Sequence, residues 1–80
     1  MILQITAYGI ARDIAGNRVF EFEAPATVTV ESLKRQLLER FPALGNLTSF
    51  QIAVNAELGP ADSILTETDE IVLLPPVSGG

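Results

Sequence analysis

The sequence predicts an α+β fold of order β-β-α-β-β, with one main helix lying over one face of a sheet. Three observations predict it. Two stretches near the start, 2–8 and 18–23, alternate apolar and polar residues with the period of a half-buried strand. Val30, Leu33, Leu37, Leu38 and Phe41 then fall at helical spacing. Two further strand-like stretches follow, 50–55 and 71–74, so strands flank a single helix rather than alternating with several.

Each element has its own local reason. In the first stretch Leu3, Ile5 and Ala7 share one face, while Gln4, Thr6 and Tyr8 take the other. Gly9 to Asn17 reads as a connecting loop, with Gly16-Asn17 as its turn. The second strand places Phe20 and Phe22 together, opposite Val19, Glu21 and Glu23, and its closeness to the first suits an antiparallel hairpin. Ala24-Pro25-Ala26 breaks it. Thr29 is suited to cap the helix that follows, and Pro42 with Gly45-Asn46 stops that helix. Ile52 and Val54 share a face of the third strand, and Leu58-Gly59-Pro60 opens a turn-rich passage. The last strand, Ile71-Val72-Leu73-Leu74, is apolar throughout, which predicts a central place in the sheet. If it lies parallel to the first strand, the arrangement is a β-grasp.

Composition narrows the function. Eighty residues make one small domain, whose 48% hydrophobic content is needed mostly for a core. With no cysteine, disulfides, thiolate metal sites and cysteine nucleophiles are excluded. With no histidine either, the usual general base and the commonest metal ligand are missing, so no metal site is expected. A net charge of −5 argues against nucleic acid and suits a partner with a basic surface, although such a charge also simply keeps a small domain soluble. The chain opens directly on strand residues and holds no apolar run of membrane-spanning length, so a soluble, cytoplasmic protein without membrane contact is expected.

Chemistry is expected at the other end, in Pro75-Pro76-Val77-Ser78-Gly79-Gly80. Glycine loses more conformational freedom on ordering than any other residue, which makes diglycine poor fold material. The same absence of side chains suits a bare α-carboxylate for threading into a narrow site on another protein. Pro75-Pro76 favours an extended lead-in. The expected organisation is a domain over residues 1–74 and a flexible tail over 75–80.

These residues carry a resemblance. The chain is similar, nearly end to end, to the sulfur-carrier subunits of molybdopterin synthase, which are ubiquitin-like β-grasp proteins. The likeness runs through Ala11-Arg12-Asp13-Ile14-Ala15-Gly16, Ala53-Val54-Asn55, Asp69-Glu70-Ile71 and the Pro-Pro-Val-Ser-Gly-Gly tail. Thr68 departs from it, because the family often has glycine there.

The resemblance implies a mixed sheet and a specific role for the tail. A ubiquitin-activating-like adenylyltransferase would use ATP to adenylate the Gly80 carboxylate, and a sulfur donor would convert it to a thiocarboxylate. The tail would then enter the large catalytic subunit and give its sulfur to precursor Z (cyclic pyranopterin monophosphate), in a heterotetramer of two small and two large subunits. Gly80 and Gly79 would carry the chemistry, and Pro75, Pro76, Val77 and Ser78 would line the partner's channel. Tyr8, Leu58 and Leu74 would dock the partners, with Arg12 pairing to an acidic group. No cofactor would be held stably, and the catalytic side chains would belong to the partner. Asp69-Glu70 reads more simply as a solvated turn than as acid–base machinery. Other readings are a thiamine-type sulfur carrier, a ubiquitin-like modifier joined through Gly80, and a passive β-grasp binding module.

Overall fold

In the computed structural model, which describes residues 1–46, 50–58 and 60–75, strands β1 (Ile2–Ala7) and β2 (Val19–Glu23) pair antiparallel. Leu3 stands opposite Phe22 and Ile5 opposite Phe20, so the alternation of both strands brings their apolar sets to one face. The expected hairpin is present, but its connection is more than a loop. Gly9–Ala15 forms a short helix, α1, which buries Ala11 and packs Ile14 against the core. Flanking glycines and a length of two turns hid this helix from periodicity. Gly16 ends it in the left-handed conformation (φ +87°) and donates its N–H to the Arg12 carbonyl at 2.9 Å.

The main helix, α2 (Val30–Arg40), begins where Thr29 predicts, and the Thr29 side chain accepts from the Ser32 N–H at 3.2 Å. Its preceding donors are satisfied from a distant segment: Val30 N–H donates to the Ser63 carbonyl at 3.1 Å and Glu31 N–H to the Ala61 carbonyl at 3.0 Å. The segment after residue 60 is thereby strapped across the start of α2. Pro42 stops the helix and opens a 3-10 turn, Pro42–Asn46.

Strand β3 (Gln51–Val54) is followed by a two-residue strand, β4 (Glu57–Leu58), where the sequence suggests only turns. Val54 pairs with Glu57 and Ala53 with Leu58 across the tight turn Asn55-Ala56. The last strand, β5 (Ile71–Leu74), lies between β1 and β3, parallel to the first and antiparallel to the second. The sheet order is β2-β1-β5-β3-β4, so the all-apolar strand is central and the sheet is mixed, as expected of a β-grasp.

The core lies between α2 and one sheet face. Val30, Leu33 and Leu37 pack there with Leu3, Ile5, Phe22, Ile52, Ile71 and Leu73. Burying each such aliphatic side chain contributes about 1.5–3 kcal/mol. Phe20 and Phe41 close one edge, ring edge to ring face, with centroids 5.4 Å apart. Among the described residues no helix covers the other sheet face, on which β5 presents Val72 and Leu74.

Candidate functional site: the tail-bearing strand and its open face

Strand β5 is the last described element before the tail, so what fixes β5 fixes the tail's root. At its start, Asn55 and Asp69 form a clasp. Asn55 Nδ2 donates to Asp69 Oδ1 at 3.0 Å, and the Thr66 N–H donates to Asp69 Oδ2 at 2.8 Å. The Glu70 N–H donates to Asn55 Oδ1 at 2.9 Å, while the Asn55 N–H donates to the Glu70 carbonyl at 2.8 Å. The bond from the Thr66 backbone, seconded by that from the Asn55 side chain, holds the Asp69 carboxyl below the usual carboxylate range. Both carboxylate oxygens serve this turn, in keeping with a structural reading of Asp69-Glu70. Thr68 sits in the same turn with its hydroxyl 3.1 Å from that of Thr66, and its φ is not positive. The position therefore does not require the glycine common in the family.

Register lays out the open face. Thr6 is opposite both Val19 and Val72, Val72 is opposite Ala53, and Ala53 is opposite Leu58. Directly opposed residues point the same way, so Val19, Thr6, Val72, Ala53 and Leu58 form one charge-free rung across all five strands. Tyr8 and Leu74 flank it towards the tail: the Tyr8 N–H donates to the Leu73 carbonyl at 3.4 Å, and Leu74 is opposite Gln51. Tyr8 is 44% exposed and Leu58 61%, while Val72 and Leu74 are half-buried. On the side away from the tail, Glu21 stands opposite Gln4 and Glu23 opposite Ile2. The face is thus apolar near the tail and acidic beyond it.

Of the residues proposed for docking, Tyr8 and Leu74 come together, and Leu58 shares their face two strands away. Arg12 is exposed on α1, outside the sheet. The cation beside Tyr8 is Arg18, whose guanidinium carbon is 6.0 Å from the ring centroid. The signal for Arg18 was its place just before β2: its carbonyl accepts from the Ala7 N–H at 2.7 Å, which sets it next to the end of β1. Pro76, Val77, Ser78, Gly79 and Gly80 lie outside the described residues.

A cleft of about 270 Å³ opens beside β3 and α2, between Lys34, Glu31, Gln51 and Leu58, so that Leu58 and Gln51 border both it and the open face. Lys34 Nζ lies 5.3 Å from the Phe50 ring centroid, a packing role for the chain's one lysine. Among the described residues no group of three or more acidic side chains is placed to hold a metal ion, and no helix is long and apolar enough to cross a membrane.

Comparison with known proteins agrees with this geometry. A family model described as the ThiS family matches residues 5–80. A molybdopterin synthase sulfur carrier subunit from Caenorhabditis briggsae is 35% identical over 81 residues, covering 98% of this chain and 96% of the relative. The complex of subunits 1 and 2 of the molybdopterin-converting factor from Helicobacter pylori contains a chain that superposes with a TM-score of 0.65 at 29% identity, with both chains covered completely. SAMP1 from Haloferax volcanii superposes with a TM-score of 0.80 over the full length of both chains, and at 22% identity that likeness concerns the fold. This chain, matched over both its sheet and its tail, belongs to the ThiS family.

Proposed function

We propose that the protein is the sulfur carrier of molybdenum cofactor synthesis, the non-catalytic donor subunit of a molybdopterin synthase. The observation that carries this reading is the family match, which extends through the tail to residue 80, joined to 35% identity with a carrier subunit along nearly the whole chain. In this reading the Gly80 carboxylate attacks ATP on a ubiquitin-activating-like adenylyltransferase, releasing pyrophosphate and leaving an acyl-adenylate. Sulfide-level sulfur from a donor displaces AMP, and a thiocarboxylate results. The tail then enters the large catalytic subunit, where its sulfur bonds to a carbon of precursor Z as an oxygen substituent leaves that carbon. Water cleaves the resulting thioester, leaving the sulfur on the pterin and restoring the carboxylate for another cycle. ATP is consumed by the activating enzyme and is not a cofactor of this chain.

The open face supports the partner assignment. An apolar rung beside an acidic flank suits a partner whose docking surface is apolar with a basic border. Gly79 and Gly80 offer no side chain to obstruct a narrow site, and 75–78 lead them into it.

The test is an intact mass after incubation with the activating enzyme, ATP and a sulfur donor. The expected gain is that of one oxygen exchanged for sulfur, and it should be lost when precursor Z and the large subunit are added. A chain left unchanged under conditions that charge a known carrier overturns the reading. Gly79→Ala, or one residue appended after Gly80, should leave folding intact and abolish transfer.

A further inference from the structure

Where β5 gives way to Pro75, the chain meets the start of α1. Gly9 adopts φ +56°, a left-handed conformation that L side chains rarely take. Space makes the same demand: a Cβ at Gly9 would lie 3.2 Å from Pro75 Cγ, tight enough to displace the ring. The turn around Gly9 is held on both sides. The Tyr8 N–H donates to the Leu73 carbonyl at 3.4 Å, and the Tyr8 carbonyl accepts from Ala11 and Arg12 at 3.1 and 3.4 Å.

We infer that Gly9 is a positioning residue for sulfur transfer, a bare seat on which the Pro75 ring rests and which sets the direction in which the tail leaves the sheet. Pro75 has no N–H to donate to the hydrogen-bond ladder, so its contact with Gly9 contributes to its orientation. A direction set there is carried forward, because a residue that precedes proline is confined to extended conformations. A Cβ at Gly9 would push the Pro75 ring by a few tenths of an ångström and so turn the bond by which the chain leaves the sheet. Such a change of direction matters for a carboxylate that must enter a narrow site, and to that extent the inference rests on the proposed carrier function.

The test is a double-mutant cycle on thiocarboxylated protein with precursor Z and the large subunit. Gly9→Ala should lower kcat about 10-fold with KM little changed, because the docking face is untouched, at a temperature where the variant is fully folded. In a Pro75→Ala background the same substitution should cost at least about threefold less, since the ring it collides with is gone. Parental kcat in Gly9→Ala, or equal costs in both backgrounds, overturns the inference. A readout independent of sulfur chemistry keeps it separate from the carrier reading. With a nitroxide on Ser78→Cys, the chain's single thiol, paramagnetic broadening across the amides of α1 and β3 should differ between the parent and Gly9→Ala. Identical broadening overturns the positioning role whatever the sulfur assay gives. A shifted pattern in a chain that is never charged with sulfur retains the seat and rejects the carrier function.

Discussion

Asp69 does its work through two oxygens. One accepts from the Asn55 side chain and the other from the Thr66 backbone, and together they tie the β3–β4 turn to the start of β5. These bonds lower its pKa, so the carboxylate form is favoured in the folded state more than in the unfolded one. The stabilisation is therefore fully present above the ordinary aspartate pKa of about 4 and is lost as pH falls through the lower, folded value. Asp69→Asn should cost about 0.5–1 kcal/mol at neutral pH, the low end for hydrogen bonds because the turn is solvated. Thermal melts should show the gap between parent and variant closing in acid; a gap constant with pH would assign the loss to packing instead. The sequence presents Asp69-Glu70 as adjacent acids only. Their partner Asn55 is distant along the chain, and no spacing rule joins the two.

At the scale of elements, the β3–β4 hairpin shows what the sequence conceals. Asn55 has φ +52° and Ala56 has φ +70°, the two left-handed residues of a two-residue hairpin turn. The usual signal for such a turn is Asn-Gly; Asn-Ala does not announce it, and β4 consequently reads as part of a loop. Alanine in a left-handed conformation is strained, and glycine would relieve that at some cost in unfolded-state entropy. Ala56→Gly should stabilise the domain by roughly 0.5–1 kcal/mol and raise Tm by about 2–8 °C. A calorimetric melt at or below the parental value would show that the strain is relieved elsewhere. Helix α2 stands at the opposite extreme. Its cap, apolar stripe and proline stop are all local signals, and each falls where the structure has it. Helix α1 lies between the two: Gly16 was legible as a turn residue, but only packing of Ala11 and Ile14 on the core shows that a helix precedes it.

For the molecule as a whole, the β-grasp was legible because the least local strand is also the most apolar, and a strand apolar on both sides belongs in the middle of a sheet. The open face was legible only in part. Alternation assigned Tyr8 to it, but the rung from Val19 to Leu58 depends on register across five strands, which no single segment encodes. If this rung docks the large subunit, a charge buried in it should be felt in binding and not in folding. Leu58 is 61% exposed, so Leu58→Asp should change stability by no more than about 0.5 kcal/mol. In the complex, the same carboxylate would be desolvated against an apolar surface without a partner, weakening affinity by about 10- to 100-fold. Arg40→Asp, an exposed substitution at the end of α2 on the covered side of the sheet, also adds negative charge and should leave affinity within about threefold of the parent. Titration calorimetry with the purified large subunit measures both. Equal losses for the two variants would reduce the effect to long-range charge, and parental affinity in Leu58→Asp would remove the rung from the interface.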